Sequence, residues 1–326
     1  MRAAVFYEHG GPEVIQVVDD WPEPHARHDE VVIEVKACGL NHLDIFVRRG
    51  LPNVPIELPH ISGGDITGVV TQLGDGVSGF ALGDRVLVDP TWGVGAIGEN
   101  TNGGLCQRFA TEARRLIPIP DSVSFEQAAV LPIAYGTAHR MMLTRGKVQG
   151  GETVVVLGAS GGVGTACVQL AKMVGATVFA VTSSRDKLER LGELGADHLI
   201  QATGPEYGKE VWRLTNKQGA DVIVDYTGKE TWPTTIRTLK PGGRILTCGA
   251  TTGHEVMTDL RYVWVREETI VGCNAWQRSD IETMLRLVAE GRIVPIIDRV
   301  WPLERIREAE EAIERREVFG KIIITP

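Results

Sequence analysis

The segment Ala159-Ser160-Gly161-Gly162-Val163-Gly164 combines residue types and spacing that could hold a phosphorylated ligand. It follows the apolar run Val154-Val155-Val156-Leu157 and opens into Thr165-Ala166-Cys167-Val168-Gln169-Leu170-Ala171, where apolar residues recur at helical spacing. Strand, glycine-rich turn and helix in that order make a cradle for a pyrophosphate. Glycines let the backbone turn sharply and come close, and the first N–H groups of the helix meet the charge. The form departs from the commonest Gly-x-Gly-x-x-Gly, and an ordinary tight strand-to-helix turn is the alternative. The flanking strand and helix favour a dinucleotide.

About 20 residues further on, where such a unit recognises the ribose, an NAD-binding chain places Asp or Glu at the end of the second strand. Gly175-Ala176-Thr177-Val178-Phe179-Ala180-Val181 reads as that strand, and Thr182-Ser183-Ser184-Arg185-Asp186-Lys187 follows it. Ser183, Arg185 and Lys187 suit a 2′-phosphate, because guanidinium and ammonium groups make charge-assisted bonds to phosphate oxygens. The expected cofactor is NADPH. The other reading makes Arg185 and Lys187 the solvated first turn of the next helix, and Asp186 is the counter-signal.

These residues need a parallel sheet to position them. From about Ser124, helical patterns alternate with apolar strands at Thr153–Leu157, Thr177–Val181, His198–Ile200, Val222–Asp225, Arg244–Cys248 and Ile270–Asn274. That alternation predicts a doubly wound parallel sheet. Before it come short strands with Gly and Pro punctuation, such as Glu30–Lys36 and Asp84–Val88, which predict a compact, barrel-like β domain. After it the chain returns to that domain, with helices at Asp280–Glu290 and Leu303–Arg316 and a last strand at Lys321–Thr325. The expected division is residues 1–123 with 266–326 as one domain and 124–265 as the dinucleotide-binding domain.

Composition excludes several other classes. A length of 326 residues suits about two domains. A formal net charge of −8, with no dense basic block, argues against nucleic acid as a partner. No apolar run approaches the roughly 20 residues of a membrane span. Cys38, Cys106, Cys167, Cys248 and Cys273 are odd in number and never in Cys-x-x-Cys spacing, so a disulfide framework is not expected. No cleavable signal region is read at Met1–Tyr7, and the cytoplasm is the expected compartment.

With these motifs in order, the chain resembles the medium-chain dehydrogenase/reductase superfamily, and within it the zinc-independent, quinone oxidoreductase-like branch. The resemblance runs over essentially the whole length. It rests on Gly39-Leu40-Asn41-His42-Leu43-Asp44, Gly63-Gly64-Asp65-Ile66-Thr67-Gly68, Gly83-Asp84-Arg85-Val86, Leu131-Pro132 with Thr137-Ala138, the glycine-rich turn, Leu194-Gly195-Ala196-Asp197, Leu239-Lys240-Pro241-Gly242-Gly243-Arg244 and Gly320-Lys321. It implies an α/β fold in which a Rossmann-type doubly wound parallel sheet is inserted into a GroES-like, β-barrel-type catalytic domain. It also implies a homodimer formed through the nucleotide domains.

Zinc-dependent members carry a cysteine where this chain has Asn41, a Gly-His-Glu motif where it has Gly63, Gly64 and Asp65, and a third ligand near Ile133. A catalytic zinc ion wants about three N, S or O side-chain ligands, and only Asp65 could serve, so no metal is expected. The loop Thr91–Gly104 also lacks the cysteines of a structural zinc lobe. A cluster of His42, His60, Asp44 and Asp65 can be drawn, with solvent-facing or core histidines as the other account.

Without a Lewis acid, reduction of a polarised acceptor is easier than activation of an alcohol. The expected activity is NADPH-dependent hydride transfer to a quinone or an α,β-unsaturated carbonyl, a small-molecule substrate. Asn41, Asp44 and Asp65 are the candidate catalytic residues, joined by Thr137, which falls at a nicotinamide contact in relatives. Asn41 could equally be a strand-end turn residue, and Asp65 a structural survivor. Gly249, Ala250 and Thr251 are expected beside the nicotinamide. Phe46 stands where many relatives have a tyrosine, and Tyr135 could compensate as an acid or be a packing residue, so no proton donor follows from the sequence. Trp92, Trp264 and Trp276 could flank a flat acceptor or simply pack. Two other readings stay open: a metal-dependent alcohol or polyol dehydrogenase with an atypical site, and a non-catalytic NADPH-binding protein.

Overall fold

The computed structural model describes every residue except Pro52, Asn53 and Val94, and for Trp92 the backbone alone. The Trp92 expectation therefore lies outside the described side chains. The chain divides into two compact units, Met1–Ala134 with Gln277–Pro326, and Tyr135–Trp276. The junctions fall later than the expected 124 and 266. Residues 125–134 belong to the first unit because Phe125–Ala128 packs on its sheet and Ile133 bonds to Asp65. At the other end, Thr269–Gly272 completes the parallel sheet of the second unit.

The first unit starts with β1 (Ala3–Phe6) paired antiparallel to β2 (Ile15–Val18). Its main sheet is built on β3 (Glu30–Gly39), which runs antiparallel to β4 (Asp65–Leu73). Between these two strands lies helix α1 (His42–Arg49). β5 (Arg85–Val88) follows, then the short pair β6 (Thr91–Trp92) and β7 (Gly95–Ala96), then β8 (Arg108–Glu112), β9 (Leu116–Pro118) and helix α2 (Phe125–Ala128). Register shifts at Val32/Ile33 and Val35/Ala37 bend β3. It can therefore pair with β8 along residues 30–34 and with the last strand of the chain at Cys38 and Gly39. The inward residues of these strands, among them Val31, Ile33, Val35, Ile66, Val70, Val86 and Val88, form one core.

The second unit opens with helix α3 (Gly136–His139), flanked by π-helical turns at Leu131–Tyr135 and Arg140–Arg145. Six parallel strands follow: β10 (Thr153–Leu157), β11 (Thr177–Thr182), β12 (His198–Gln201), β13 (Ala220–Val224), β14 (Leu239–Thr247) and β15 (Thr269–Gly272). Helices α4 (Gly162–Met173), α5 (Leu188–Glu193), α6 (Glu206–Leu214), α7 (Trp232–Thr238) and α8 (Leu260–Val265) connect them. The strand order β12-β11-β10-β13-β14-β15 makes β10 the start of both windings, so the direction reverses between β10 and β13. Val154, Val155 and Val156, like Val222, Ile223 and Val224, are fully buried. Continuous β-branched runs of this kind are what a sheet covered on both faces requires, and each such side chain contributes about 1.5–3 kcal/mol on burial.

The chain returns to the first unit through α9 (Arg278–Ala289), β16 (Ile297–Pro302), α10 (Ile306–Glu314) and β17 (Lys321–Thr325). β17 lies between β16 and β3. A buried ion pair ties α1 to α10: Arg48 Nε donates to Glu310 Oε2 at 2.5 Å and Nη2 to Glu314 Oε1 at 2.5 Å, with Nη1 on the Gly10 carbonyl. Arg48 and Glu310 are both essentially inaccessible to solvent. Burial raises the Glu310 carboxyl and Arg48 pulls it back, so the pair holds α1 in place only while both members are present. Arg48→Met, which strands a buried carboxylate, is expected to lower unfolding free energy by about 3–5 kcal/mol. Adding Glu310→Leu should recover most of that loss in urea denaturation, and equal losses in the single and double variants would count against this account.

Candidate functional site

Asn41, Asp44 and Asp65 come together in the first unit. Asp65 is the first residue of β4 and pairs with Gly39 at the end of β3. Two residues past Gly39, Asn41 is the N-cap of α1 and Asp44 is its third helical residue. Asp44 Oδ2 accepts from the Asn41 N–H at 2.7 Å, half of the reciprocal arrangement that starts helices. Its Oδ1 accepts from the Gly63 N–H at 3.0 Å, which holds the segment leading into β4.

A fourth residue completes this cluster. Lys321, the first residue of β17, is 3% exposed and sends its ammonium between the others. Nζ donates to the Leu40 carbonyl at 2.6 Å, to Asn41 Oδ1 at 2.6 Å and to Asp65 Oδ2 at 2.9 Å. The three protons of an ammonium are thus all engaged. Asn41 Nδ2 donates to Asp65 Oδ2 at 2.9 Å and to the Gly39 carbonyl at 3.3 Å, and Asp65 Oδ1 accepts from the Ile133 N–H at 2.8 Å. Burial raises the Asp65 carboxyl, while Lys321, Asn41 and Ile133 pull it down.

This donor set does not fit a zinc ion. Its two carboxylates are committed elsewhere, Asp44 to the N–H groups of Asn41 and Gly63, and Asp65 to the Ile133 N–H, Asn41 and the Lys321 ammonium, whose charge repels a dication. His60, buried and with Nε2 3.2 Å from the Gly98 carbonyl, packs its ring on Phe6 at 5.4 Å between centroids. His42 is exposed on α1. Among the described residues, His, Cys, Asp and Glu form no group of three or more placed to hold a metal. Phe46 is 39% exposed, while Tyr135, in the second unit, is fully buried.

In the second unit, the turn after β10 has the shape that a pyrophosphate needs. Gly158 has φ +63°, which favours glycine, and the Ala159 N–H donates to the Val181 carbonyl at 3.0 Å. Ser160 Oγ lies 3.3 Å from Thr182 Oγ1. Gly161 caps α4 with extended backbone, and no side chain among the described residues caps the helix, so the N–H groups around Gly162, Val163 and Gly164 can take an anion. A Cβ on Gly164 would stand 2.5 Å from the Gly158 carbonyl oxygen, whereas on Gly161 it would meet only that oxygen, at 3.6 Å. Gly164 therefore allows close strand–helix packing, and Gly161 keeps the approach open.

Ser183 and Arg185 are exposed beyond β11, and Lys187 is half-buried at the end of the short 3-10 turn Arg185–Lys187. Gly249, Ala250 and Thr251 are exposed beyond β14. Thr137, 7% exposed, lies on α3 of this unit. Trp264 is 70% exposed on α8. A cavity of 520 Å³ opens at the ends of β14 and β15, lined by Arg140, Arg145, Cys248, Cys273 and their neighbours.

Sequence reading missed Lys321 as a site residue. Gly320-Lys321 reads only as a mark of the family, and a lysine opening the apolar run Ile322-Ile323-Ile324 reads equally as a solvated strand end. Pairing of Ile323 with Gly39 is what brings it to Asn41. Tyr226 was missed too: it follows β13, and its hydroxyl donates to the Gly158 carbonyl at 2.9 Å.

Comparison with known proteins matches the alcohol dehydrogenase GroES-like domain family over residues 27–121 and the zinc-binding dehydrogenase family over residues 162–290. The quinone oxidoreductase of Rattus norvegicus is 29% identical over 331 aligned residues, covering 99% of this chain and 97% of that protein. The acryloyl-coenzyme A reductase of Sulfurisphaera tokodaii is 28% identical, covering 97% and 98%. Among solved structures, an NAD-dependent alcohol dehydrogenase superposes with a TM-score of 0.94 at 38% identity over the whole of both chains.

Burial raises the Asp44 carboxyl from its ordinary 3.8 to about 7, against the pull of the Asn41 N–H. Folded Asp44 therefore holds its proton more tightly than the unfolded chain does. Its contribution to stability is largest below about pH 4 and is lost as pH rises toward 7. Relative to wild type, Asp44→Asn should gain roughly 2–4 kcal/mol between those limits in urea titrations. A pH-independent difference would contradict the shift.

Proposed function

Because the chain belongs to the medium-chain dehydrogenase/reductase superfamily, we propose that it is an NADPH-dependent oxidoreductase that transfers hydride to a quinone or an α,β-unsaturated carbonyl without catalytic zinc. The observation that carries this reading is the Lys321 ammonium among Leu40, Asn41 and Asp65, where a metal site would need open ligands. Likeness to a quinone oxidoreductase and an acryloyl-coenzyme A reductase supports the acceptor class.

Bound NADPH supplies the hydride. The chain's own part is to hold the dinucleotide on the turn Ala159–Gly164, to meet the 2′-phosphate with Ser183, Arg185 and Lys187, and to keep the reacting ring oriented. Thr137 and the loop Gly249-Ala250-Thr251 are proposed as the nicotinamide contacts. In the other unit Asn41, Asp44 and Asp65 are proposed as the catalytic residues. Asn41 reaches a substrate oxygen there by exchanging the longer of its two N–H bonds, the one of 3.3 Å to the Gly39 carbonyl, while Asp65 and Lys321 keep the amide oriented.

The test is consumption of NADPH and NADH at 340 nm by metal-stripped protein with a panel of quinones and enones. Turnover with NADPH at least about tenfold above NADH is expected, in line with a lost charge-assisted phosphate contact of roughly 1.5–3 kcal/mol. No turnover across the panel, with an alcohol oxidised once zinc is added, would replace this reading by the metal-dependent dehydrogenase.

A homodimer through the nucleotide-binding units is part of the proposal. The sheet edge at β15 is open, and Leu260, Trp264 and Val265 expose apolar surface on the preceding helix. Sedimentation equilibrium should give a dimer for wild type and a monomer for Trp264→Glu. A monomeric wild type at micromolar concentration would remove the dimer from the reading.

A further inference from the structure

Tyr226 stands where the winding of the parallel sheet reverses. Val156 of β10 pairs with Val224 of β13, so Gly158 and Tyr226 lie two positions beyond that pair on the two strands that flank the reversal. In open parallel sheets, ligands bind outside the carboxyl ends of the strands at such a point. Tyr226 joins the two loops already assigned to the dinucleotide. Its Oη donates to the Gly158 carbonyl at 2.9 Å, and its own carbonyl accepts from the Thr251 N–H at 3.0 Å. A Cβ built on Gly158 would stand 3.3 Å from the Tyr226 ring, so ring and turn are in close contact.

The backbone that presents Tyr226 is fixed. Asp225 is fully buried. Its Oδ1 accepts from the N–H groups of Thr227 and Gly228 at 2.9 and 3.1 Å, and Thr235 Oγ1 donates to its Oδ2 at 2.6 Å. Thr231 Oγ1 lies 2.9 Å from both carboxylate oxygens. The Gly158 carbonyl also accepts from the Gly161 N–H at 3.1 Å. The phenol is thus the second donor on the one carbonyl that sets how the turn presents its N–H groups.

We infer that Tyr226 is a dinucleotide-binding residue: its ring walls the crevice between β10 and β13 that the pyrophosphate crosses, and its hydroxyl holds the Gly158 peptide in the orientation that aims the turn at the phosphates. The inference rests on the reading of the chain as an NADPH-binding protein. Burial raises the phenol's pKa above its ordinary 10, so Oη keeps its proton and stays a donor throughout the neutral range.

The experiment is equilibrium titration of the apoprotein with NADPH and with 2′,5′-ADP, which lacks the pyrophosphate bridge, using wild type, Tyr226→Phe and Tyr226→Ala. Melting without nucleotide is recorded in parallel. Freeing the Gly158 peptide in Tyr226→Phe should weaken NADPH about fivefold, with the melting temperature lowered by no more than about 4 °C. Tyr226→Ala should weaken it by about tenfold or more, and 2′,5′-ADP affinity should change less than about twofold in Tyr226→Phe. Wild-type NADPH affinity in both variants would overturn the assignment of Tyr226 and leave the reductase reading standing. An equal loss for 2′,5′-ADP would overturn the placement at the pyrophosphate. A wild type that binds neither NADPH nor NADH would overturn the dinucleotide reading and this inference with it.

Discussion

The first unit depends on one buried charge and its compensation. A carboxylate at Asp65, wholly out of solvent, is tolerable only with partners, and the Lys321 ammonium is the one that carries opposite charge. That requirement draws three separate pieces of chain to one point: the end of β3 with the start of α1, the start of β4, and the start of β17. Helix α1 is then placed from both ends. Asn41 and Asp44 hold its first turn, while Arg48 holds its last turn against Glu310 and Glu314. The residues of the candidate site are therefore residues that close the fold, and a change at any of them has structural consequences.

The second unit is organised by a different constraint, the lack of space where α4 leaves β10. Gly164 has no room for a side chain, and Gly158 adopts a conformation that other residues avoid. These two positions settle how near the helix N-terminus comes to the strand end, and so where its N–H groups point. Around them the hydrogen bonds run between loops, not within strands. Ala159 bonds to the end of β11, Tyr226 to Gly158, and Thr251 and Thr252 to the loop after β13. Such cross-links hold the loops at the ends of β10, β11, β13 and β14 to one another.

Much of the chain could be read before folding. The strands at Thr153–Leu157 and Lys321–Thr325 lie within the bounds that composition suggested, because a run of β-branched residues between turn formers has few alternatives. β14 begins earlier than Arg244, at Leu239, because Ala220 pairs with Leu239 across a register shift before the regular ladder resumes. The domain junctions were also less legible: the helical pattern starting at Ser124 looks like the opening of the α/β part, yet α2 packs on β3 and β4. Local pattern records which element forms and is silent about which sheet it joins.

The sequence by itself determined the family, the parallel sheet and the glycine-rich turn, since each is written in spacing over a few neighbouring residues. It also puts Asn41, Gly64 and Ile133 where zinc-dependent relatives carry their ligands. Only the tertiary structure decided what occupies that place. Lys321 lies 256 residues from Asp65 along the chain, and no periodicity links the two; the pairing of β17 with β3 does. Tyr226 and Gly158, 68 residues apart, meet for the same reason, because adjacent parallel strands end side by side. Short-range sterics can be read in one dimension, whereas compensation of a buried charge or a buried carbonyl depends on which strands lie next to each other.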